Sequence, residues 1–519
     1  MAAARGKCRV VVACYCLKRN SAFPAVKFFG LVSLHQFTPS RFTRRCFLLF
    51  PSLFPRVSDA SMRSRGFLAA VLLLAVVVCA VATERVLVTF EHDDSAGLAA
   101  EACALLNTRG QKGFVVESDK NSSSKRTVRE CLRTARGACR RAFAAKGGLI
   151  GGFAGELDAD ALLCLDATVE PDVEVHAIVD DEDDETEEDT IFSSPSSRRL
   201  LAQDTVGQES TSPPYYWQID RLDQKTLPLD GIVNRAGGDG VDVFVLDTGV
   251  YAKHAEFIKL GVGVDVVDGD GYFDDCNGHG THVAALVAGR HTGVAPHAVV
   301  HSVRVLQCDG GGRVSDVLAG LEWVRAFLAA KRGHAKDSST ETETSRATPS
   351  VVVLALGLRS GKSSSALEKA IETLFNNFGV FFVVAGGNDP NASSCDLSPA
   401  RITGTFAVGA SDSRDEAYIH GSEGKCLDAF APGVNVQSAK AFGNTFEGNT
   451  VSSTQPYATR SGSSMAAGVA AGVAAHFLGE NPLASPEATK NALLNAASPG
   501  TVRTRELETA PLLRVPARW

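Results

Sequence analysis

Val241-Asp-Val-Phe-Val-Leu-Asp247-Thr-Gly249 is an apolar run of strand length that stops on an aspartate and a glycine. A run without polar alternation suits a strand buried on both faces, as in a parallel sheet covered by helices. Similar runs recur at Val299–Leu306, Val351–Leu356, Val380–Ala385 and Thr405–Gly409. Helical patterns alternate with them. Ser315–Ala330 is one, and Ser363–Phe378 is another, with Leu367, Ala370, Ile371, Leu374, Phe375 and Phe378 on one stripe before Gly379. Met465–Leu478 and Pro486–Ala497 follow, the last started by Ser485. The alternation predicts an α/β domain whose working residues sit at the carboxyl ends of its strands.

Three such places stand out. The first run delivers Asp247. Asn277-Gly278-His279-Gly280-Thr281-His282 opens a helix and leaves the His279 imidazole room on both sides. Ser461-Gly462-Ser463-Ser464-Met465-Ala466 opens an Ala-rich helix. Taken singly, an Asp ends a turn, a His fills a core and a Ser caps a helix. Together they supply a nucleophile that needs a base, a base that works near neutral pH, and a carboxylate to orient it. Val383-Val-Ala385-Gly-Gly387-Asn388 adds an amide at a strand end, so that Asn388 and the Ser464 backbone N–H can donate to an oxyanion. His279 and His282 have no third ligand beside them, which argues against a metal pair.

From about Pro214 onward these motifs resemble the subtilisin-like serine proteases, nearest the proteinase K and aqualysin branch. The resemblance implies a three-layer fold with a mainly parallel central sheet. It implies that Ser464 is the nucleophile, His279 the general base and acid, Asp247 the orienting carboxylate, and Asn388 an oxyanion donor. Gly310, Gly311 and Gly312 then form one substrate-binding strand and Ala355, Leu356 and Gly357 the other, with Ala385 and Gly387 flanking a pocket for large apolar side chains. It further implies disulfides Cys276–Cys308 and Cys395–Cys426. It also implies a structural calcium on Asp428 with main-chain carbonyls around Thr403–Thr405, and no cofactor for the chemistry. Gly468 departs from the family, which has proline there; glycine in a helix interior costs roughly 0.5–1 kcal/mol relative to alanine, which would loosen the nucleophile helix.

The preceding segment reads as a small α+β domain. Arg85–Phe90 and the alternating Val169–Ile178 are strand-like, and Ala99–Leu106 and Thr127–Ala145 look helical. Phe153-Ala-Gly-Glu-Leu157 and Val169-Glu170-Pro171-Asp172-Val173 resemble the inhibitory propeptide of these proteases. Asp180–Asp189 is acidic at nine of ten positions, and Arg198-Arg199 follows in an exposed-looking linker. Self-cleavage is expected between about Ala177 and Ser212. Lys336–Ser350, rich in Ser, Thr and Glu, reads as a surface insertion.

Met62-Arg-Ser-Arg, the apolar Phe67–Ala82 and the ending Ala80-Val-Ala82 make a cleavable secretion signal. Its internal position leaves two readings of residues 1–61, an extension upstream of a start at Met62 or an Arg-rich transit-like leader. The expected organisation is therefore 1–61 leader, 62–83 signal, 84–179 propeptide, 180–213 linker and 214–519 catalytic domain. Of 13 cysteines, eight lie beyond residue 83, in two groups of four, as suits two domains in an oxidising compartment. The pairing of Cys103, Cys131, Cys139 and Cys164 stays open. The 519 residues carry 45% hydrophobic and 21% charged side chains and a net charge of −7, which excludes whole-chain disorder. Residues 1–61 hold ten Lys/Arg against one Asp, so the rest is acidic and offers no nucleic-acid footprint. The reading is a monomeric secretory-pathway endopeptidase acting on polypeptides without a stable membrane span, extracellular or in a vacuolar or other endomembrane compartment. Its rival is a binding protein on a protease fold that never sheds its propeptide; the complete set of Asp247, His279, Ser464 and Asn388 favours the enzyme.

Overall fold

The computed structural model describes residues 83–89, 100, 103, 106, 137–143, 148–150, 152–158, 168–178, 216–232, 237–268, 274–337, 348–441, 456–506 and 509–519. The chain divides into Met1–Ala82 and Thr83–Trp519. The first unit lies outside the described residues. So do the acidic run, the dibasic pair and most of the Lys336–Ser350 insertion.

The larger part of the second unit is built on a nine-stranded sheet. In chain order the strands are β6 (Asp242–Asp247), β7 (Val264–Asp265), β8 (Val299–Arg304), β10 (Ser350–Leu354), β12 (Phe381–Ala385), β13 (Phe406–Ser411), β14 (Ala429–Pro432), β17 (Ser498–Val502) and β18 (Ala510–Leu512). They lie in the order β17-β18-β14-β13-β12-β10-β6-β8-β7. All neighbours are parallel except β17 and β18 at one edge. The apolar runs divide their residues by face. Val243, Val245, Val351, Val353, Phe381 and Val383 join one buried cluster. Phe244, Leu246, Val352, Leu354, Phe382 and Val384 join the other. Both faces of each central strand are therefore buried, which is why the sequence shows no polar alternation.

Helices α2 (His279–Ala288), α5 (Ser463–Glu480) and α6 (Pro486–Ala496) cover the first face. α3 (Val314–Asp337) and α4 (Ser365–Thr373) cover the second. The result is the three-layer α/β architecture that the resemblance implied. α5 runs unbroken through Gly468. A Cβ there would lie 2.9 Å from the Val283 carbonyl oxygen and 3.1 Å from the Leu286 Cβ. The glycine is one of the places where α5 presses close on α2.

The smaller part is a four-stranded sheet in the order β2-β3-β1-β4, from β1 (Thr83–Thr89), β2 (Gly137–Phe143), β3 (Gly152–Asp158) and β4 (Thr168–Pro171). Two sequence expectations fail here. Thr127–Ala145 looked helical, yet β2 is a strand whose Cys139 and Phe143 are buried. Its antiparallel register with β3 overrides local preference. Val169–Ile178 looked like one strand but is two. Pro171 ends β4, and Glu174–Ala177 continues as β5 in a separate sheet. Cys139 is bonded to Cys103, while Cys131 and Cys164 lie outside the described residues.

The smaller part rests on the amino ends of α3 and α4 through polar groups. Asp172 accepts from the Ser315 amide at 3.0 Å and its hydroxyl at 2.9 Å. Glu170 accepts from the Ser365 amide at 2.9 Å. Each carboxylate thus meets the positive end of a helix. Arg140 and Arg141 reach the buried Asp316 at 3.0 and 3.1 Å.

Candidate active site

β6 ends at Asp247, and the chain returns over it as the first turn of α2. His279 Nδ1 lies 2.8 Å from Asp247 Oδ1 and 2.9 Å from Oδ2, with both side chains wholly buried. The Thr248 amide donates to the same Oδ1 at 2.7 Å. His279 Nε2 is buried and has no hydrogen-bond partner among the described residues. That nitrogen is left free to act on another group.

A second carboxylate, missed in the sequence, holds this pair. Asp275 Oδ1 accepts from the Thr248 hydroxyl at 2.8 Å and from the Asn277 and Gly278 amides at 2.9 and 2.8 Å. Its Oδ2 accepts from the Thr281 amide at 2.9 Å and hydroxyl at 2.6 Å. Thr248 in turn accepts from the Gly280 amide at 3.0 Å. Asp275 therefore ties the loop carrying Asp247 to the helix end carrying His279. The signal was an aspartate just ahead of an Asn-Gly turn, a position that commonly gathers backbone amides.

Ser464 sits in the first turn of α5, where backbone N–H groups have no intrahelical acceptor. Gly462 precedes it at φ 140°, and a Cβ there would lie 2.6 Å from Asn388 Nδ2. Asn388 is fixed by the Ser463 amide, which donates to its Oδ1 at 2.9 Å. His282 does not join the site. Its Nε2 meets the Ala458 carbonyl at 3.1 Å, and burial, aided by the Arg460 charge, holds its pKa well below the ordinary value.

The cleft is filled by the chain itself. β5 lies between β9 (Gly311–Arg313) and β11 (Leu356–Leu358), antiparallel to both. Val175 pairs with Gly312 and Leu358, His176 with Gly311 and Gly357, and Ala177 with Leu356. The Ala177 amide donates to the Gly310 carbonyl at 2.9 Å. The Ile178 amide reaches the Ala355 carbonyl at 3.4 Å. The Ile178 carbonyl oxygen then lies 2.9 Å from Ser464 Oγ and 3.5 Å from Asn388 Nδ2. Ser464 Oγ is also 3.0 Å from the Ala355 carbonyl. Gly357 leaves room for the Ile178 side chain, whose Cδ1 a Cβ would meet at 3.1 Å. Ala385 is buried at the end of β12, and Gly387 has φ 110° two residues on.

Cys276 is bonded to Cys308 and Cys395 to Cys426. The first bond joins the residues just before His279 to those just before β9. The expected calcium site does not fit a metal. Lys490 Nζ lies 2.7 Å from Asp428 Oδ1 and donates to the Thr405 carbonyl at 2.9 Å. Asp428 Oδ2 accepts from the Ala407 amide at 3.0 Å. The oxygens read from the sequence as calcium ligands thus already face an ammonium. Lys490 lies far along the chain on α6, so nothing near Asp428 in sequence announced it. No group of three or more His, Cys, Asp or Glu side chains that could hold a metal occurs among the described residues. None of the described helices is long and apolar enough to cross a membrane.

A buried Asp–His pair with one imidazole nitrogen open, together with a serine at a helix start and an amide that both reach one peptide carbonyl, carries the groups of an acyl-transfer site on an α/β scaffold, although no hydrogen bond joins His279 Nε2 to Ser464 Oγ. The subtilase family profile matches residues 238–511. An extracellular serine proteinase of Thermus sp. (strain Rt41A) is 40% identical over 59% of this chain and 67% of its own length. Alkaline serine exoprotease A of Vibrio alginolyticus is 38% identical over 59% of this chain and 51% of its own. A cold-adapted subtilisin-like serine proteinase of known crystal structure is 38% identical, covers 57% of this chain and 97% of its own, and gives a TM-score of 0.48. The chain belongs to the subtilase family of serine endopeptidases.

Proposed function

We propose that the chain is a secretory serine endopeptidase made as an autoinhibited zymogen, cut by itself between Ile178 and Val179. The observation that carries this is β5, paired on both sides in the cleft, with the carbonyl of Ile178, the residue after it, 2.9 Å from Ser464 Oγ. An added strand read through its main chain is how a protease would hold any polypeptide.

The proposed chemistry uses only groups of this chain. Ser464 Oγ bonds to the Ile178 carbonyl carbon while its proton passes to His279 Nε2. Asp247 holds the imidazole by Nδ1 and stabilises the imidazolium. The oxygen that gains charge is met by Asn388 and the Ser464 amide. The tetrahedral intermediate then breaks its bond to the Val179 nitrogen, which takes the proton from His279. Water, deprotonated by His279, releases Ile178 as a new carboxyl terminus and regenerates Ser464. The residues ahead of the cut then remain bound as an inhibitory segment, and residues 214–519 form the catalytic domain.

The occupied cleft supports a preference for apolar residues before the scissile bond. Ile178 lies against Gly357, and Val175 is fully buried beside Gly312. The disulfides and the relative named as extracellular support export. Expressing the precursor as Ser464 and Ser464→Ala forms tests the whole reading. The first should yield a new amino terminus at Val179 and hydrolyse unfolded casein; the second should stay one chain and do neither. Cleavage of the Ser464→Ala chain at the same bond during purification on its own would sink self-processing.

A further inference from the structure

We propose that Lys490 is a built-in cation that replaces a metal at the joint between α6, the start of β13 and the start of β14. The joint is Asp428, just before β14, and the carbonyl of Thr405, just before β13. A carboxylate and a main-chain carbonyl turned toward one point form an oxygen set for a hard cation. Here that point is filled by the Lys490 ammonium, which contacts both oxygens. The remaining carboxylate oxygen takes the Ala407 amide.

The pair is largely enclosed. The Asp428 and Lys490 side chains retain 17% and 26% of their exposure. Burial pushes the Asp428 carboxyl above its usual range, and the Lys490 hydrogen bond and charge offset that only in part. A carboxylate so placed needs a positive partner of some kind. Lys490 also lies over the Phe406 ring, 6.0 Å from its centroid, so its stem is held from a second side.

A tethered ammonium differs from a metal in one practical way. It cannot be chelated or diluted away, so this joint holds in calcium-poor surroundings. β13 lies beside β12, the strand that leads to Asn388, so the joint braces the wall behind the proposed oxyanion donor. The cation requirement belongs to the oxygens, and the lysine meets it. Removing the lysine side chain should therefore uncover a weak calcium site that the present chain does not use.

The test uses the full secreted precursor in a Ser464→Ala background, which prevents self-digestion. Lys490→Ala is compared with its parent by melting temperature, in chelator and in about 1–10 mM calcium, at or above the roughly 0.1–1 mM dissociation constants of weak extracellular sites. In chelator the variant should melt roughly 3–10 °C below the parent. Calcium should restore at least half of that deficit, over and above any shift it causes in the parent. Adding Asp428→Asn to Lys490→Ala should abolish that extra gain. Equal melting in chelator would overturn the proposal, because the lysine would then hold nothing. A deficit that calcium does not repair, or a variant that folds in neither condition, would also overturn it, because no cation site would lie behind the lysine. Repair that survives Asp428→Asn would place the calcium elsewhere and overturn it too.

Discussion

The two parts of the described chain are held by different balances of apolar and polar contact. The larger part is joined by continuous apolar clusters on both faces of a nine-stranded sheet. The smaller part meets it through charged contacts, Glu170 and Asp172 on helix ends and Arg140 and Arg141 on Asp316, through β5 in the cleft, and through a small apolar patch of Leu87, Phe143, Leu149 and Ala154 that joins the cluster under α3 and α4. Apolar burial over such an area does not come apart short of unfolding. Charge pairs and a single strand can be released once the strand is cut. On the proposed reading, the contrast is between a structure that persists and one that is released after the cut.

Ser464→Ala gives the largest break in that contrast. It should lower peptide-bond hydrolysis by on the order of 10⁴–10⁶-fold, the range for losing the nucleophile of such a triad. It should also make the detachable part permanent, leaving one uncut chain on a gel. Gly462→Ala comes next. Its φ of 140° disfavours any side chain, and the new Cβ would press on Asn388 Nδ2. Loss of one oxyanion donor costs about 10²–10³-fold in kcat. If the cleft works as one site, self-cleavage and casein hydrolysis should fall together, measured as rates on the same preparation. A fall in one alone would separate the occupied cleft from the working one.

How much of this was legible in the sequence follows the same division. The persistent part announces itself locally: buried parallel strands read as apolar runs, and Asp247, His279, Ser464 and Asn388 stand at their ends in recognisable surroundings. The β2 strand could not be read, because its pairing with β3 and not its own composition makes it a strand. Asp275 and Lys490 escaped for a related reason. Their roles lie in partners such as Thr248 and Asp428, which turns of the fold bring near and chain distance hides. The self-cleavage site is bracketed by the sequence only as the range from about Ala177 to Ser212, because the residue that meets Ser464 depends on register with β9 and β11.

The charged contacts of the smaller part offer a moderate test. Replacing both Glu170 and Asp172 by alanine removes two carboxylates from helix ends. Charge-assisted hydrogen bonds contribute about 1.5–3 kcal/mol each when not shared with water. The partial exposure around Ser365 reduces this, so about 10–100-fold faster release is expected. The readout is the lag between self-cleavage and the appearance of casein hydrolysis, which should shorten. The melting temperature of the fully processed enzyme should not change, because neither residue remains in it. An unchanged lag would mean that the attachment is carried by β5, the Arg140 and Arg141 contacts and the shared apolar patch, and not by these two carboxylates.

Glu256 supplies the internal counterpart, a carboxylate buried wholly within the persistent part. It accepts from the His291 and Thr292 amides at 2.7 and 3.0 Å and from the Tyr457 hydroxyl at 2.7 Å. Burial alone would raise its pKa, but these donors outweigh burial and hold it below the usual value. A carboxyl whose folded value is depressed contributes stability that is fully present above its unfolded value, about 4.3 for glutamate. That contribution is lost as pH falls through the folded value. Glu256→Gln would turn an N–H₂ toward existing donors and cost about 1–3 kcal/mol at pH 6–7. For a domain of this size that lowers the melting temperature by several degrees, roughly 2–4 °C per kcal/mol. As pH falls below about 4.3 the unfolded carboxyl takes up its proton first and the native one follows at its lower value, so the gap between the two proteins should narrow progressively. Melting curves of processed protein at pH 6.5 and pH 3.5 decide it. A gap of constant width would mean that Glu256 acts by its shape in the packing, not by its charge.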